Sequence, residues 1–264
     1  MIPYFQFTHF MIGPVRIQVW GLFVALGVVL AVWLATREAK KRGLDWKKFS
    51  DVAFWIIVWS FIGARLGHVV FYEWAYYSQH LVDIVKVWHG GFSSYGGFIG
   101  GTVSGFILLK KYASNLLSYA DCVALGLSGG WTIGRIGCFF IHDHPGTFTD
   151  FALAVQNADG EGARHDLGLY DGILTGVIFV ILLAVNKRVI ARSDAGATRQ
   201  SYAGILMVIL MVGYGFVRFF LDFLRATDLP QSDIRIYSLT PAQYLSIGLV
   251  VWGMWLGRRI LRKH

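Results

Sequence analysis

Seven stretches of the chain are apolar for long enough to be read as helices buried in a bilayer. They cover about residues 17–36, 52–72, 95–110, 119–140, 170–187, 203–224 and 240–257. A hydrocarbon core about 30 Å thick takes roughly 20 mainly apolar residues at about 1.5 Å of rise each. The third stretch is short and Gly-rich, so its helix starts before residue 95 or is partly re-entrant. The pattern predicts an all-α polytopic membrane protein with seven transmembrane helices. They form a single membrane domain over residues 1–264, and the longest segment between spans, about 141–169, is polar. A loop of that length is more often functional than connective.

Basic residues orient the bundle. Arg37, Lys40, Lys41, Arg42, Lys47 and Lys48 follow the first span, and Lys110 and Lys111 the third. Lys187, Arg188, Arg192 and Arg199 follow the fifth, and Arg258, Arg259, Arg262 and Lys263 the seventh. Sixteen of the 24 basic residues thus fall on one side. The positive-inside rule makes that side cytoplasmic. The N-terminus is then periplasmic, the C-terminus cytoplasmic, and the 141–169 region lies outside.

Composition narrows the class further. Hydrophobic residues make up 55% and charged residues 15%, against about 25% charged in soluble chains. Mean hydropathy is +0.53. Disorder, coiled coil and collagen are excluded, and an ordinary soluble enzyme is disfavoured. A net charge of +8 would suggest nucleic acid in a soluble protein. Here the positive-inside pattern accounts for it, and no nucleic-acid partner is expected. No basic segment precedes the first apolar run, so no removable signal peptide is read. Cys122 and Cys138 on one helix would sit roughly 24 Å apart, too far for a disulfide.

Glycines recur every four residues at Gly97, Gly101 and Gly105 and at Gly126, Gly130 and Gly134. Such stripes let helix backbones approach. Gly90, Gly91, Gly96 and Gly97 differ, because they cluster where a loop meets a span. Their backbone N–H groups could be free to bind an anion.

Buried charge carries the chemistry. An intramembrane Arg costs several kcal/mol, of the order of 3, unless it is paired or faces a wet cavity. Four clusters stand out: Arg135 in Gly134-Arg135-Ile136-Gly137; Tyr214, Arg218, Asp222 and Arg225; Arg65 with His68; and Tyr170-Asp171. Offsets of four, four and three put the second cluster on one helix face, where Arg218 and Asp222 can pair. Structural ion pairs would explain any one of these clusters. Three Arg-bearing helices charged toward one leaflet instead point to an anionic headgroup or phosphate, which the guanidinium fork suits. Arginine is a poor base, so any base must be His, Tyr, Asp or Glu. The 141–169 region offers His142, Asp143, His144, His165 and Asp166. Read as metal ligands, two His at i, i+2 on a loop are a weak pattern.

At these residues the chain resembles the prolipoprotein diacylglyceryl transferase family along nearly its whole length. Gly63-Ala64-Arg65-Leu66-Gly67-His68 is similar to the family's second-span motif. The run Trp88-His89-Gly90-Gly91-Phe92-Ser93-Ser94-Tyr95-Gly96-Gly97 is similar to its Gly-rich segment. Gly134-Arg135-Ile136-Gly137-Cys138-Phe139 resembles the start of its signature, and His165 to Asp171 a His-Pro-Ser-Gln-Leu-Tyr-Glu segment. Tyr214 to Arg225 resembles its sixth span, and Leu239-Thr240-Pro241 the start of its last.

The resemblance implies a reaction. A diacylglyceryl group moves from phosphatidylglycerol to the lipobox cysteine thiol of a prolipoprotein, the first step of bacterial lipoprotein maturation. The expected partners are phosphatidylglycerol, prolipoprotein signal peptides and bilayer lipid, with no nucleic acid, and the expected place is the bacterial inner membrane. No cofactor and no metal are expected. Arg135 and Arg218 would hold the phosphate, Tyr214 and Asp222 would orient Arg218, and Gly90, Gly91, Gly96 and Gly97 would shape the headgroup pocket. The catalytic set is Arg135, Arg218, Tyr95, His142 and Asp143. Arg65, Arg225, His165 and Tyr170 join the substrate-binding set.

Departures from the family pattern leave alternatives. After Gly-Arg-x-Gly the family continues Asn-Phe-x-Asn-x-Glu, where this chain has Cys138, Phe139, Phe140, Ile141, His142 and Asp143. Many members carry a His, a proposed base, where this chain has Tyr95. His142 or His144 is expected to supply the lost proton acceptor. The alternative to an active enzyme is an inactive or repurposed relative that binds membrane lipid or transports an anionic solute.

Overall fold

In a computed structural model, the described residues are all except 88–89, 113–115, 195–202, 230–231, 233–234 and 263–264. The chain forms two compact units, residues 36–119 and residues 1–35 with 120–264. The fold is mostly helical. Among the described residues, five helices are long and apolar enough to cross a membrane: α1 (Val19–Lys41), α2 (Trp46–Phe71), α5 (Leu116–Ile141), α6 (Leu167–Asp194) and α7 (Ile205–Leu221). The other two expected spans are also helical, α4 (Ser94–Tyr112) and α8 (Pro241–Leu261). The apolar part of α4 is shorter, Gly96–Leu108. A short α3, Trp74–Tyr77, and a 3-10 turn, Leu81–Val85, lie between α2 and α4.

The larger unit begins with a hairpin, β1 (His9–Ile12) paired antiparallel with β2 (Val15–Gln18). Gly13, at φ +59°, makes its turn. α1 then packs on α5 through glycine. A Cβ on Gly130 would lie 2.3 Å from the carbonyl oxygen of Gly27, and one on Gly27 would lie 2.5 Å from that of Gly130. Backbone meets backbone, as small-residue stripes allow in lipid, where no hydrophobic effect drives helices together. Leu125, Ile178, Leu182, Leu206 and Leu210 form an apolar core between α5, α6 and α7.

Helix ends are satisfied by distant side chains. The first N–H groups of a helix lack intrahelical partners. Asp121 of α5, fully buried, accepts from the N–H groups of Gly204, Leu206 and Met207 at 3.0, 2.9 and 3.2 Å and so caps α7. α8 starts with a capping box, in which Thr240 accepts from Gln243 N and the Gln243 side chain accepts from Thr240 N.

The 141–169 region is not the unstructured loop its polarity suggests. It carries a three-stranded antiparallel sheet in the order β3-β5-β4, with β3 (Pro145–Phe148), β4 (Val155–Gln156) and β5 (Ala163–Asp166). Strands this short and polar show no hydrophobic alternation from which to read them. β3 also bridges from Gly146 to Arg225 just beyond α7.

In the smaller unit, α2 packs on α4 at Gly63, Gly67, Gly96 and Gly100. A Cβ on Gly96 would lie 2.2 Å from the Gly63 carbonyl oxygen. Asp45 caps α2 by accepting from Lys48 N at 3.2 Å.

The glycine contact between α1 and α5 is testable. Gly130→Val forces two backbones apart, at a cost of roughly 1–3 kcal/mol or more. The thermal midpoint in detergent should fall by several degrees. Gly134→Ala meets nothing within 4 Å and should leave the midpoint unchanged or slightly raised.

Candidate anion site at the ends of α5, α6 and α7

Within the larger unit, α5, α6 and α7 each bring one charged side chain to a common point. Asp171 of α6 is fully buried. Its Oδ2 lies 2.8 Å from Arg135 Nε of α5 and 3.5 Å from Arg218 Nη1 of α7. Its Oδ1 is 3.1 Å from the Thr175 hydroxyl. One helical turn beyond Arg218, Asp222 is also fully buried and sits 3.2 Å from Arg218 Nη2. Arg225 Nη1 is 3.8 Å from the same Asp222 oxygen. The other oxygen of Asp222 accepts from the Thr240 hydroxyl. Three guanidiniums and two carboxylates thus form a chain with one positive charge in excess. Pairing is what makes such burial tolerable, since an unpaired charge here would cost several kcal/mol, of the order of 3.

Arg135 has further neighbours. Its guanidinium lies over the Trp131 ring, 4.9 Å from the centroid, and interacts with the Tyr214 hydroxyl. Its Nη1 lies 3.7 Å from Cys138 Sγ and 3.4 Å from His144 Nε2. His144 Nδ1 is in turn hydrogen-bonded to Asp143.

Several expected residues have other occupations. Tyr214 hydrogen-bonds Arg135 and also feels the charge of Arg218, whose nitrogens lie near Asp171 and Asp222. His142, at φ +50°, has its Nδ1 2.6 Å from Asp166. Its ring is packed against Phe5, Phe139 and Tyr4, with centroids 4.9, 5.4 and 5.7 Å away. Asp166 also accepts from Leu169 N at 2.8 Å, so the pair fixes the start of α6. His165 Nδ1 is 3.0 Å from the Tyr170 hydroxyl. Arg164 binds Asp228 through two nitrogens and stacks 3.7 Å from the centroid of the Phe148 ring.

In the smaller unit, Arg65 does not offer its donors outward. Its three nitrogens reach the carbonyls of Ile84, Asp83 and Gly90 at 2.8, 2.7 and 2.5 Å, with those of Gly91 and Lys86 at 3.1 and 3.4 Å. The guanidinium lies over the Tyr77 ring. Arg65 therefore holds the Gly-rich loop in shape. Gly90 and Gly91 take φ of +82° and +80°, and a Cβ on Gly91 would lie 2.6 Å from His68 Nε2. The expectation of free N–H groups fails at three of the four glycines. Gly90 N donates to Val87 O at 3.2 Å, Gly97 N to Ser93 O at 3.0 Å, and Gly96 N to Ser93 Oγ at 3.3 Å. Trp88 and His89 lie outside the described residues, as does the side chain of Tyr95.

Cys138, Asp143 and His144 bring one potential ligand atom each within 4.8 Å of one another. The donor set does not fit a resident dication well. Arg135 Nη1 touches both the sulfur and the imidazole, so a dication there would sit against a fixed positive charge.

A family model described as prolipoprotein diacylglyceryl transferase matches residues 8–258. The chain belongs to the prolipoprotein diacylglyceryl transferase family. Among its relatives are proteins named phosphatidylglycerol–prolipoprotein diacylglyceryl transferase. The one from Staphylococcus saprophyticus is 30% identical, over 95% of this chain and 89% of the relative. That from Listeria monocytogenes is 31% identical, over 91% and 87%. That from Geobacter sulfurreducens is 28% identical, over 99% and 97%.

Arg135, Arg218, Asp222 and Arg225, all expected site residues from the sequence, meet in this cluster. The sequence marks Asp171 without assigning it there, and it does not single out Thr240, Trp131 or the His142–Asp166 pair. The signal for Asp171 was available, as an acidic residue at the start of an otherwise apolar helix.

Two outcomes are expected. Asp171→Asn leaves two buried guanidiniums short of a counter-charge and should cost about 3–5 kcal/mol, seen as a large drop in thermal midpoint. Outside the spans, burial holds His165 below its ordinary value. The hydrogen bond from Arg164, opposed by a smaller burial effect, holds Asp228 below its own. Both contributions are complete at neutral pH. That of His165 is lost as pH falls below about 6.5, and that of Asp228 only below about 4. The midpoint should decline from pH 7 to pH 5, and His165→Gln should flatten that decline.

Proposed function

We propose that this chain transfers the diacylglyceryl group of phosphatidylglycerol to the lipobox cysteine of prolipoproteins, the first step of bacterial lipoprotein maturation. It works as a multi-pass protein of the bacterial inner membrane, with seven spans, a periplasmic N-terminus and a cytoplasmic C-terminus. Family membership over residues 8–258 is the observation that carries this reading.

The geometry supports the chemistry. The Arg135–Asp171–Arg218–Asp222–Arg225 chain has one excess positive charge, which suits the single negative charge of a phosphodiester. Arg135 and Arg218 hold the phosphate and stabilise it as it leaves. Tyr214 orients Arg135, and Asp222 with Thr240 orients Arg218. Arg225, His165 and Tyr170 border the headgroup. Side chains such as Val29, Phe61, Phe106 and Trp252 are exposed, which suits contact with bilayer lipid.

Purified protein incubated with phosphatidylglycerol vesicles and a lipobox peptide should add one diacylglyceryl mass to the peptide. Arg135→Ala and Arg218→Ala should each lower the rate by about 100-fold or more. Lysine should not restore it, because the two-pronged donor is lost. No mass gain with lipid still bound would instead identify a lipid-binding protein.

A further inference from the structure

Two histidines of the larger unit, His142 and His144, follow α5 close to the arginine cluster. Their surroundings separate them. His142 gives Nδ1 to Asp166, is caged by aromatic rings, and its side chain is only 10% exposed. His144 is 23% exposed, and its partner Asp143 is 33% exposed. The backbone of His144 is anchored, because its carbonyl accepts from Leu167 N at 3.1 Å.

We propose that His144, oriented by Asp143, is the general base that takes the proton from the acceptor thiol. The assignment rests on the transferase reading above. Asp143 accepts the Nδ1 proton of His144, and this selects the tautomer with a bare lone pair on Nε2. That nitrogen accepts a long hydrogen bond from Arg135 Nη1 at 3.4 Å, so the acceptor lies beside the guanidinium that holds the phosphate and takes the thiol proton by exchanging that weak bond. Carboxylate, imidazole and reacting group stand in the order found wherever an orienting acid and a histidine activate a nucleophile. The charged and titratable groups facing His144 are Asp143 on its own loop and Arg135 and Cys138 on α5.

The step balances. The thiol proton passes to His144 Nε2, and the sulfur forms a bond to the terminal glyceryl carbon of the lipid. The carbon–oxygen bond to phosphate breaks, and its electron pair stays on the phosphate oxygen. The diester's single negative charge becomes about −1.5 to −2 on glycerol phosphate, as for other phosphate monoesters near neutral pH. In the same step the His144–Asp143 pair goes from net negative to neutral. Repulsion between Asp143 and the departing phosphate is relieved as the new charge appears.

The test is the lipobox-peptide assay run between pH 6 and pH 9 on wild type, His144→Gln and Asp143→Asn. Binding to phosphatidylglycerol vesicles is measured in parallel. We expect His144→Gln to lose roughly 100-fold or more at pH 7, as for removal of a general base, with vesicle binding unchanged. The loss should shrink toward pH 9, where the thiol, with a pKa of about 8.5, ionises unaided. Asp143→Asn should show the same pH-dependent pattern and keeps the assignment open to refutation should His144→Gln fail to fold. A variant rate within about threefold of wild type at pH 7, or a loss equal at every pH, overturns the base assignment while leaving the transferase reading intact. A wild type that transfers nothing overturns both.

Discussion

One carboxylate oxygen organises the candidate site. Asp171 Oδ2 stands between Arg135 and Arg218, which come from helices far apart in the chain. Two guanidiniums that close would repel each other in a low-dielectric interior. Asp171 allows the approach, and Asp222 repeats the arrangement for Arg218 and Arg225. Because the carboxylates are fully buried and the side chains of Arg135 and Arg218 are about one-tenth exposed, those two guanidiniums are held in place before any ligand arrives. Pre-positioned charge of this kind does not have to reorganise when a phosphate binds or leaves.

The helices can deliver these charges because their own positions are fixed by backbone-level contacts. α1 meets α5 at glycine carbonyls, and Asp121 ties the first turn of α7 to α5. The His142–Asp166 pair fixes the start of α6, four residues before Asp171. Thr240 both starts α8 and binds Asp222, so a helix cap and a site residue share one hydroxyl. Polar groups here serve structure and site together, which suits a surrounding lipid phase that offers no partners of its own.

The helices were legible in the sequence, because apolar length depends on local composition. Arg218 and Asp222 were legible as a pair because their spacing of four is a helix repeat. The link from Arg135 through Asp171 to Arg218 was not, since contacts between helices leave no mark on spacing. Nor were the three strands after α5, which are two to four residues long. The glycine N–H groups were misread because their use depends on turn geometry. The preference for His144 over His142 emerged only when one ring was found facing Arg135 and the other caged.

The Arg65 contacts tie two short stretches, Asp83 to Lys86 and Gly90 to Gly91, to one side chain of α2. Ordering irregular backbone costs about 1–2 kcal/mol per residue, and here one planar group grips five carbonyls at once. Loss of that one guanidinium would therefore release both stretches together.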